Sequence, residues 1–173
     1  MNLASYIHDI PDFPKPGIIF KDISPLLMDA AATAEAVNQL ALSINELKPT
    51  KIVGIESRGF LLGILLAQKL GIGFIPIRKP GKLPGSILSQ KYALEYGEDA
   101  IEIQQGALSP NEKVIIHDDV LATGGTASAA CKLVEKCGAE VLQCNFLIEL
   151  DFLKGREKLE QYEIASLLNM KLI

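Results

Sequence analysis

The stretch Val114-Ile115-Ile116-His117-Asp118-Asp119-Val120-Leu121-Ala122-Thr123-Gly124-Gly125-Thr126 constrains this chain more than any other. Lys113 to His117 is rich in β-branched apolar residues, the pattern of a strand buried on both faces, and it delivers two adjacent carboxylates at its C-terminal end. A loop of small residues follows, with two glycines and two threonines. It passes into a predicted helix from about Thr126 to Cys137, closed by Gly138.

The remaining pattern supplies partners for that strand. Ala36, Val37, Leu40, Ala41 and Ile44 keep a helical spacing within Ala30 to Leu47, ending near Pro49. Ile52 to Ile55 reads as a buried strand, broken at Glu56-Ser57-Arg58-Gly59. A helix follows from Phe60 to Leu70, closed by Gly71. Phe74 to Ile77 is another strand, and Pro76 marks it as an edge or an end. Tyr92 to Leu94 and Ala100 to Ile103 can pair as a hairpin, and Val141 to Leu150 supplies a further strand. Asp12 to Pro25, with Pro14, Pro16, Gly17 and Pro25, reads as an irregular or extended connection, and the basic Arg78 to Leu88 segment as a loop that is either a functional lid or disordered. Strand–helix alternation of this kind predicts an α/β fold around a central, mainly parallel sheet flanked by helices. No linker or repeat divides residues 1–173, so one domain is expected.

Composition enters as an exclusion. With 49% hydrophobic and 22% charged residues the chain is an ordinary globular sequence, and 17 Lys+Arg against 21 Asp+Glu give a net charge of −4. That balance argues against a general nucleic-acid or membrane-surface partner. Cys131, Cys137 and Cys144 form no C-x-x-C pair, and His8 and His117 lie at no ligand-like spacing from them, so reduced thiols in a cytoplasmic protein are expected. The N-terminus lacks a signal-peptide pattern, and no apolar run approaches the roughly 20 residues of a membrane span.

The loop after the central strand suits an anion. Glycines let successive N–H groups converge, the helix N-terminus adds partial positive charge, and Thr123 and Thr126 offer hydroxyls. Asp118 and Asp119 would repel a phosphate beside them, so they are better aimed at sugar hydroxyls, or at a metal held by a polyanionic ligand. A phosphate at the loop with hydroxyls one turn back matches a ribose 5-phosphate. Taken one at a time these residues have blander readings: Asp-Asp can open a loop, Thr126 can cap a helix, Phe20 and Leu150 can be plain core, and Lys79 and Lys82 can be solvated.

As a whole, Val114 to Thr126 resembles the signature for 5-phosphoribosyl-1-pyrophosphate (PRPP) in the type I phosphoribosyltransferases. Asp12-Phe13-Pro14-Lys15-Pro16-Gly17-Ile18-Ile19-Phe20-Lys21-Asp22-Ile23-Ser24-Pro25 is similar to the N-terminal segment of the adenine-specific branch. Glu56 to Phe60, Arg78 to Gly85, Tyr92 to Gly97 and Leu153 to Leu159 continue the match in order along nearly the whole chain. His117 departs from it, standing where an aliphatic residue is usual.

The resemblance implies a purine salvage reaction, adenine plus PRPP giving AMP and pyrophosphate, with Mg2+ bound mainly through PRPP and no metal ligand assigned to the protein. Ala122, Thr123, Gly124, Gly125 and Thr126 would hold the 5-phosphate, and Asp118 and Asp119 the ribose. Glu56, Ser57 and Arg58 would form the pyrophosphate loop, with a non-proline cis peptide, and Lys79 and Lys82 would join it from a lid. Glu95 would act at adenine N7, as hydrogen-bond partner or general acid, and Tyr96 would organise the closed site. Phe20 and Leu150 would sandwich the base, with backbone groups of Lys21 reading it. A small N-terminal hood over the base and a homodimer are also implied, while Leu153 to Leu159 reads as structural or subunit-related. A sibling acting on another base would lack the N-terminal segment, and a nucleic-acid-binding regulator of the same fold would need a spare domain or a basic face.

Overall fold

The computed structural model describes residues 1–94 and 96–171. After a 3-10 turn at Leu3–Tyr6, strands β1 (His8–Pro11) and β2 (Ile19–Asp22) pair antiparallel, with Asp9 opposite Lys21 and Ile10 opposite Phe20. The segment from Asp12 to Pro25, expected to be irregular or extended, is an irregular connection over residues 12–18 followed by the extended β2 of this hairpin. Asp12 Oδ1 accepts the Gly17 N–H at 2.7 Å, and Pro25 starts helix α1 (Ser24–Met28), where its missing N–H costs nothing. Helix α2 (Ala30–Leu42) is capped by Asp29, whose carboxylate accepts from the N–H groups of Ala31 and Ala32. It ends five residues before the expected Leu47. The Ser43 hydroxyl donates to the Leu40 carbonyl at 2.8 Å, and a separate 3-10 turn takes Asn45–Leu47.

Strand β3 (Lys51–Ile55), helix α3 (Gly59–Leu70) and strand β4 (Gly73–Ile77) follow as expected. Strands β5 (Ile87–Ala93) and β6 (Glu98–Gln104) form the hairpin, longer at both ends than its apolar pattern suggested. Then come β7 (Lys113–Leu121), α4 (Gly125–Lys136), β8 (Glu140–Leu150) and β9 (Ile164–Met170). Sequence reasoning missed β9, because Ile-Ala-Ser-Leu-Leu-Asn-Met neither alternates nor carries a β-branched run.

The order β4-β3-β7-β8-β9 makes one parallel five-stranded sheet, with β4 at an edge as Pro76 indicated. Side-chain alternation sends Ile52 and Ile115 to the face covered by α1, α2 and α3, and Val53, Val114 and Ile116 to the face covered by α4 and the β5–β6 hairpin. The chain leaves β3 towards β4 in one direction, and β7 continues the sheet in the other. A crevice therefore opens between the carboxyl ends of β3 and β7, the place where open parallel sheets bind ligands.

His117 lies wholly buried in this core. Asn145 donates its amide hydrogens to Ser43 Oγ and Gln143 Oε1, which turns Oδ1 towards the imidazole 2.9 Å from Nδ1. The network therefore assigns the ring proton to Nδ1. Burial pushes the histidine below its ordinary pKa against the opposing pull of Asn145 and Asp119, so it packs as a neutral side chain.

Close packing of the β4 residue Phe74 over β3 gives the first prediction. A Cβ at Gly54 would lie 2.4 Å from the Phe74 ring and 3.3 Å from the Gly59 carbonyl. Gly54→Val is expected to lower unfolding free energy by about 1–3 kcal/mol through overpacking. Chemical denaturation checks it, and an unchanged midpoint would mean that the Phe74 ring can move aside.

Candidate active site

The loop that follows β7 is shaped by two glycines. Gly124 takes φ +80° as the N-cap of α4, and a Cβ there would stand 2.3 Å from the Gly155 carbonyl oxygen. Gly155 is buried, and its own Cβ would stand 2.4 Å from the Ala122 carbonyl. The turn Gly155–Lys158 thus braces the loop by backbone-to-backbone contact. It is anchored by Arg156, whose Nε and Nη2 donate to Glu149 Oε1 and Oε2 at 2.6 and 2.7 Å. Arg156, together with the Ser166 hydroxyl, holds the Glu149 carboxyl below its usual range against the effect of burial. Within the loop, Ala122 to Thr126, Asp118 and Phe146 line a concavity of about 80 Å³.

The two carboxylates stand on the strand itself, since β7 runs on to Leu121 rather than stopping at His117. Asp119 is buried, and Arg58 Nε lies 2.8 Å from its Oδ2. That approach lacks hydrogen-bond alignment, so charge holds the pair and the oxygen keeps unused acceptor capacity. Asp118 accepts the Asp119 N–H through Oδ1 at 2.9 Å, and burial together with the Asp119 charge raises its carboxyl well above the ordinary value.

Arg58 ties this strand to the N-terminal hairpin. Its Nη1 donates to the Lys21 carbonyl at 3.2 Å, and its guanidinium carbon sits 4.5 Å from the centre of the Phe20 ring. Phe13 meets the same ring edge-on at 5.1 Å. The Lys21 ammonium turns away to pair with Asp9 at 2.6 Å, leaving its backbone towards the site. Leu150 ends β8, nearly buried in the core on the α1–α3 face.

On the other side of the crevice the Glu56–Ser57 peptide is cis, as the resemblance implies, and Ser57 is exposed. The Glu56 side chain faces Arg78, taking Nε and Nη2 at 3.2 Å each and the Lys79 N–H at 2.8 Å. Burial alone would raise its carboxyl, but those donors outweigh it and hold the group below the usual range. Glu56 therefore anchors the root of the Arg78 to Leu88 loop, leaving the backbone of residues 56–58 towards the crevice. Lys79 is likewise engaged, with Asp99 and with the Tyr92 hydroxyl at 3.1 Å; partial burial opposes its charge, yet these partners raise its pKa. Lys82 is exposed. The loop is pinned at its base by paired Arg78 and Glu102 backbone bonds of 2.9 and 2.8 Å.

A cleft of about 690 Å³ gathers the remaining parts: Lys15 from the hairpin turn, Tyr92 and Ala93 from the end of β5, Leu94 and Tyr96 from the β5–β6 connection, Thr123, Gly125 and Thr126 from the loop, and Lys158. Tyr96 stands 87% exposed at its rim. Glu95 lies outside the described residues. Sequence reasoning missed Arg78, Asp99, Gly155, Arg156 and Lys158. Only the glycine in Leu153 to Leu159 hinted at a close backbone approach.

Known proteins with this arrangement are numerous. Residues 27–168 match the family model described as phosphoribosyl transferase domain. The adenine phosphoribosyltransferase of Christiangramia forsetii is 55% identical over 168 residues, covering 97% of this chain and 98% of its own. The crystal structure of adenine phosphoribosyltransferase from Thermoanaerobacter pseudethanolicus superposes with a TM-score of 0.96 at 50% identity, covering 97% of this chain and 98% of its own. That of the Saccharomyces cerevisiae enzyme, complexed with D-2,5-dideoxy-2,5-imino-altritol 1,6-bisphosphate and adenine, gives 0.92 at 45% identity over 95% and 96%. The chain belongs to the phosphoribosyl transferase domain family, and within it to the adenine phosphoribosyltransferases.

Proposed function

We propose that this enzyme transfers the 5-phosphoribosyl group of PRPP to N9 of adenine, releasing pyrophosphate and forming AMP. One observation carries the reading of the site. A single guanidinium, Arg58, reaches the β7 carboxylate, the Phe20 ring and the Lys21 carbonyl, so the places for sugar, leaving group and base lie within one side chain's span.

As the leaving group departs, C1 of the ribose becomes cation-like, and the protein's part is to orient and to complement charge. The loop 122–126 takes the 5-phosphate on converging N–H groups and threonine hydroxyls. Asp119, with its unused acceptor capacity, and Asp118 receive ribose hydroxyls. The backbone of Glu56, Ser57 and Arg58 faces the pyrophosphate, with the Arg58 guanidinium as the nearest cation and Lys79 and Lys82 brought by the lid. Magnesium enters on the substrate. Among the described residues no three His, Cys, Asp or Glu side chains group as a cage, and magnesium commonly takes one or two carboxylates plus substrate phosphates. Adenine lies between Phe20 and Leu150. The Lys21 carbonyl has two lone pairs, one engaged by Arg58 and one left for the 6-amino group. Glu95 and Tyr96 are assigned to the base by the resemblance alone, Tyr96 standing at the rim of the cleft.

The same reading takes residues 1–173 as one phosphoribosyltransferase domain, places it in the cytoplasm and makes it a homodimer. The three free cysteines fit a reducing compartment. For the dimer, Leu61 and Ile64 are exposed on α3, and a cleft of about 640 Å³ lined by Leu27, Ala30, Val37 and Leu65 opens between α2 and α3; apolar side chains of this kind suit a second copy.

Three measurements test this reading. Gly124→Val is expected to abolish PRPP binding in calorimetry and also to lower stability, because its side chain would meet both the phosphate and the Gly155 carbonyl. Near-normal PRPP affinity would remove this glycine from the phosphate site. Glu95→Gln is expected to lower kcat by about 10²–10³ with little change in PRPP affinity; turnover at the wild-type rate would end its role at N7. In competition among adenine, hypoxanthine and guanine with PRPP and magnesium, adenine is expected to win by on the order of 10⁴ in kcat/KM. The reason is that hypoxanthine reverses the donor and acceptor at positions 6 and 1, against backbone groups that cannot rotate. Comparable yields from another base would overturn the adenine assignment.

A further inference from the structure

The phosphate loop Ala122-Thr123-Gly124-Gly125-Thr126 has no cation of its own, and Asp118 lines the same concavity. A phosphate monoester carries up to two negative charges, and neutral N–H and hydroxyl donors leave much of that charge uncompensated. The closing turn of the brace reaches this loop. Lys158 Nζ lies 3.8 Å from the position a Cβ on Gly125 would occupy, and its side chain lines the large cleft together with Thr123, Gly125 and Thr126. Lys158 forms no ion pair among the described residues. Its backbone is held on both sides, by the Gly155–Ala122 and Gly124–Gly155 contacts and the Arg156–Glu149 pair before it, and by the fully buried Leu159 after it.

We infer that Lys158 is a further substrate-binding residue, a cation presented by the C-terminal brace to the 5-phosphate of PRPP and AMP. The inference rests on the phosphoribosyl transfer proposed above and extends its phosphate subsite to a segment that reads from the sequence as structural or subunit-related. The brace then has two functions: it fixes the loop's backbone by contact, and it brings the charge that the loop lacks.

Calorimetric titration of AMP and adenosine into wild type, Lys158→Ala, Lys158→Arg and Lys132→Ala tests it, since the two ligands differ only in the phosphate. Lys132 borders the outer groove beside Lys158 but does not line the cleft, and so controls for general surface charge. Lys158→Ala is expected to weaken AMP on the order of tenfold and leave adenosine unchanged. The difference should shrink as KCl is raised, Lys158→Arg should retain most of the affinity, and Lys132→Ala should match wild type. Should Lys158→Ala fail to fold by circular dichroism, Lys158→Gln, which keeps the stem, gives the same comparison. Unchanged AMP affinity would overturn the inference, and so would an equal loss for AMP and adenosine, which marks a structural role. A wild-type protein that forms no AMP from adenine and PRPP removes the functional reading and this inference with it. Normal AMP formation combined with indifference to Lys158→Ala removes this inference alone.

Discussion

Two parallel strands, β3 and β7, lie side by side while the sheet grows away from them in opposite directions, and the site depends on that arrangement. Because the strands are parallel, both chains leave the sheet at the same edge. Residues 56–58 and 122–126, more than sixty positions apart in sequence, therefore share a crevice. The register, with Val53 opposite Ile116 and Gly54 opposite His117, brings the end of β3 level with the carboxylates of β7. Burial on both faces sets that register: a slip by one residue would turn Ile52, Val53, Ile115 and Ile116 to the wrong cores.

Charge organises what the sheet brings together. Arg58 leaves the N-terminal end of α3 and serves Asp119, Lys21 and Phe20 with separate parts of one planar group, a geometry that a lysine could not reproduce. Across the crevice Glu56, Arg78, Lys79 and Asp99 form a linked set that roots the basic loop and the β5–β6 hairpin. Such partly exposed pairs contribute little to stability individually. Their effect here is positional: they fix where the loop begins while Lys82 and the tip stay exposed to solvent.

The C-terminal segment shows how a backbone contact can tie distant parts of a chain. Gly124 and Gly155 are both required because two carbonyls approach within a distance that no Cβ permits. The same turn is secured by the bidentate Arg156–Glu149 pair at the end of β8. Loop, brace and strand thus form one unit around the α4 N-terminus.

The amino-acid sequence by itself determined the elements whose signal is local. Lys113 to His117 had to be a buried strand, Gly124 and Gly125 had to open a helix, Pro76 had to mark an edge or an end of its strand, and Gly71 had to end α3, because each follows from side-chain shape and backbone freedom within a few residues. The motif from Asp118 to Thr126 was legible for the same reason. Strand β9 was not, because its half-buried residues follow no alternation; it is held as an edge by its pairing with β8. Only the tertiary structure decided what each charged side chain faces. It turned Glu56 towards Arg78, tied Lys79 to Asp99, laid Arg58 on Phe20 and carried Lys158 to the loop 122–126. These are long-range contacts between flexible side chains, and their partners are chosen by the packing of the sheet and helices rather than by any neighbour in sequence.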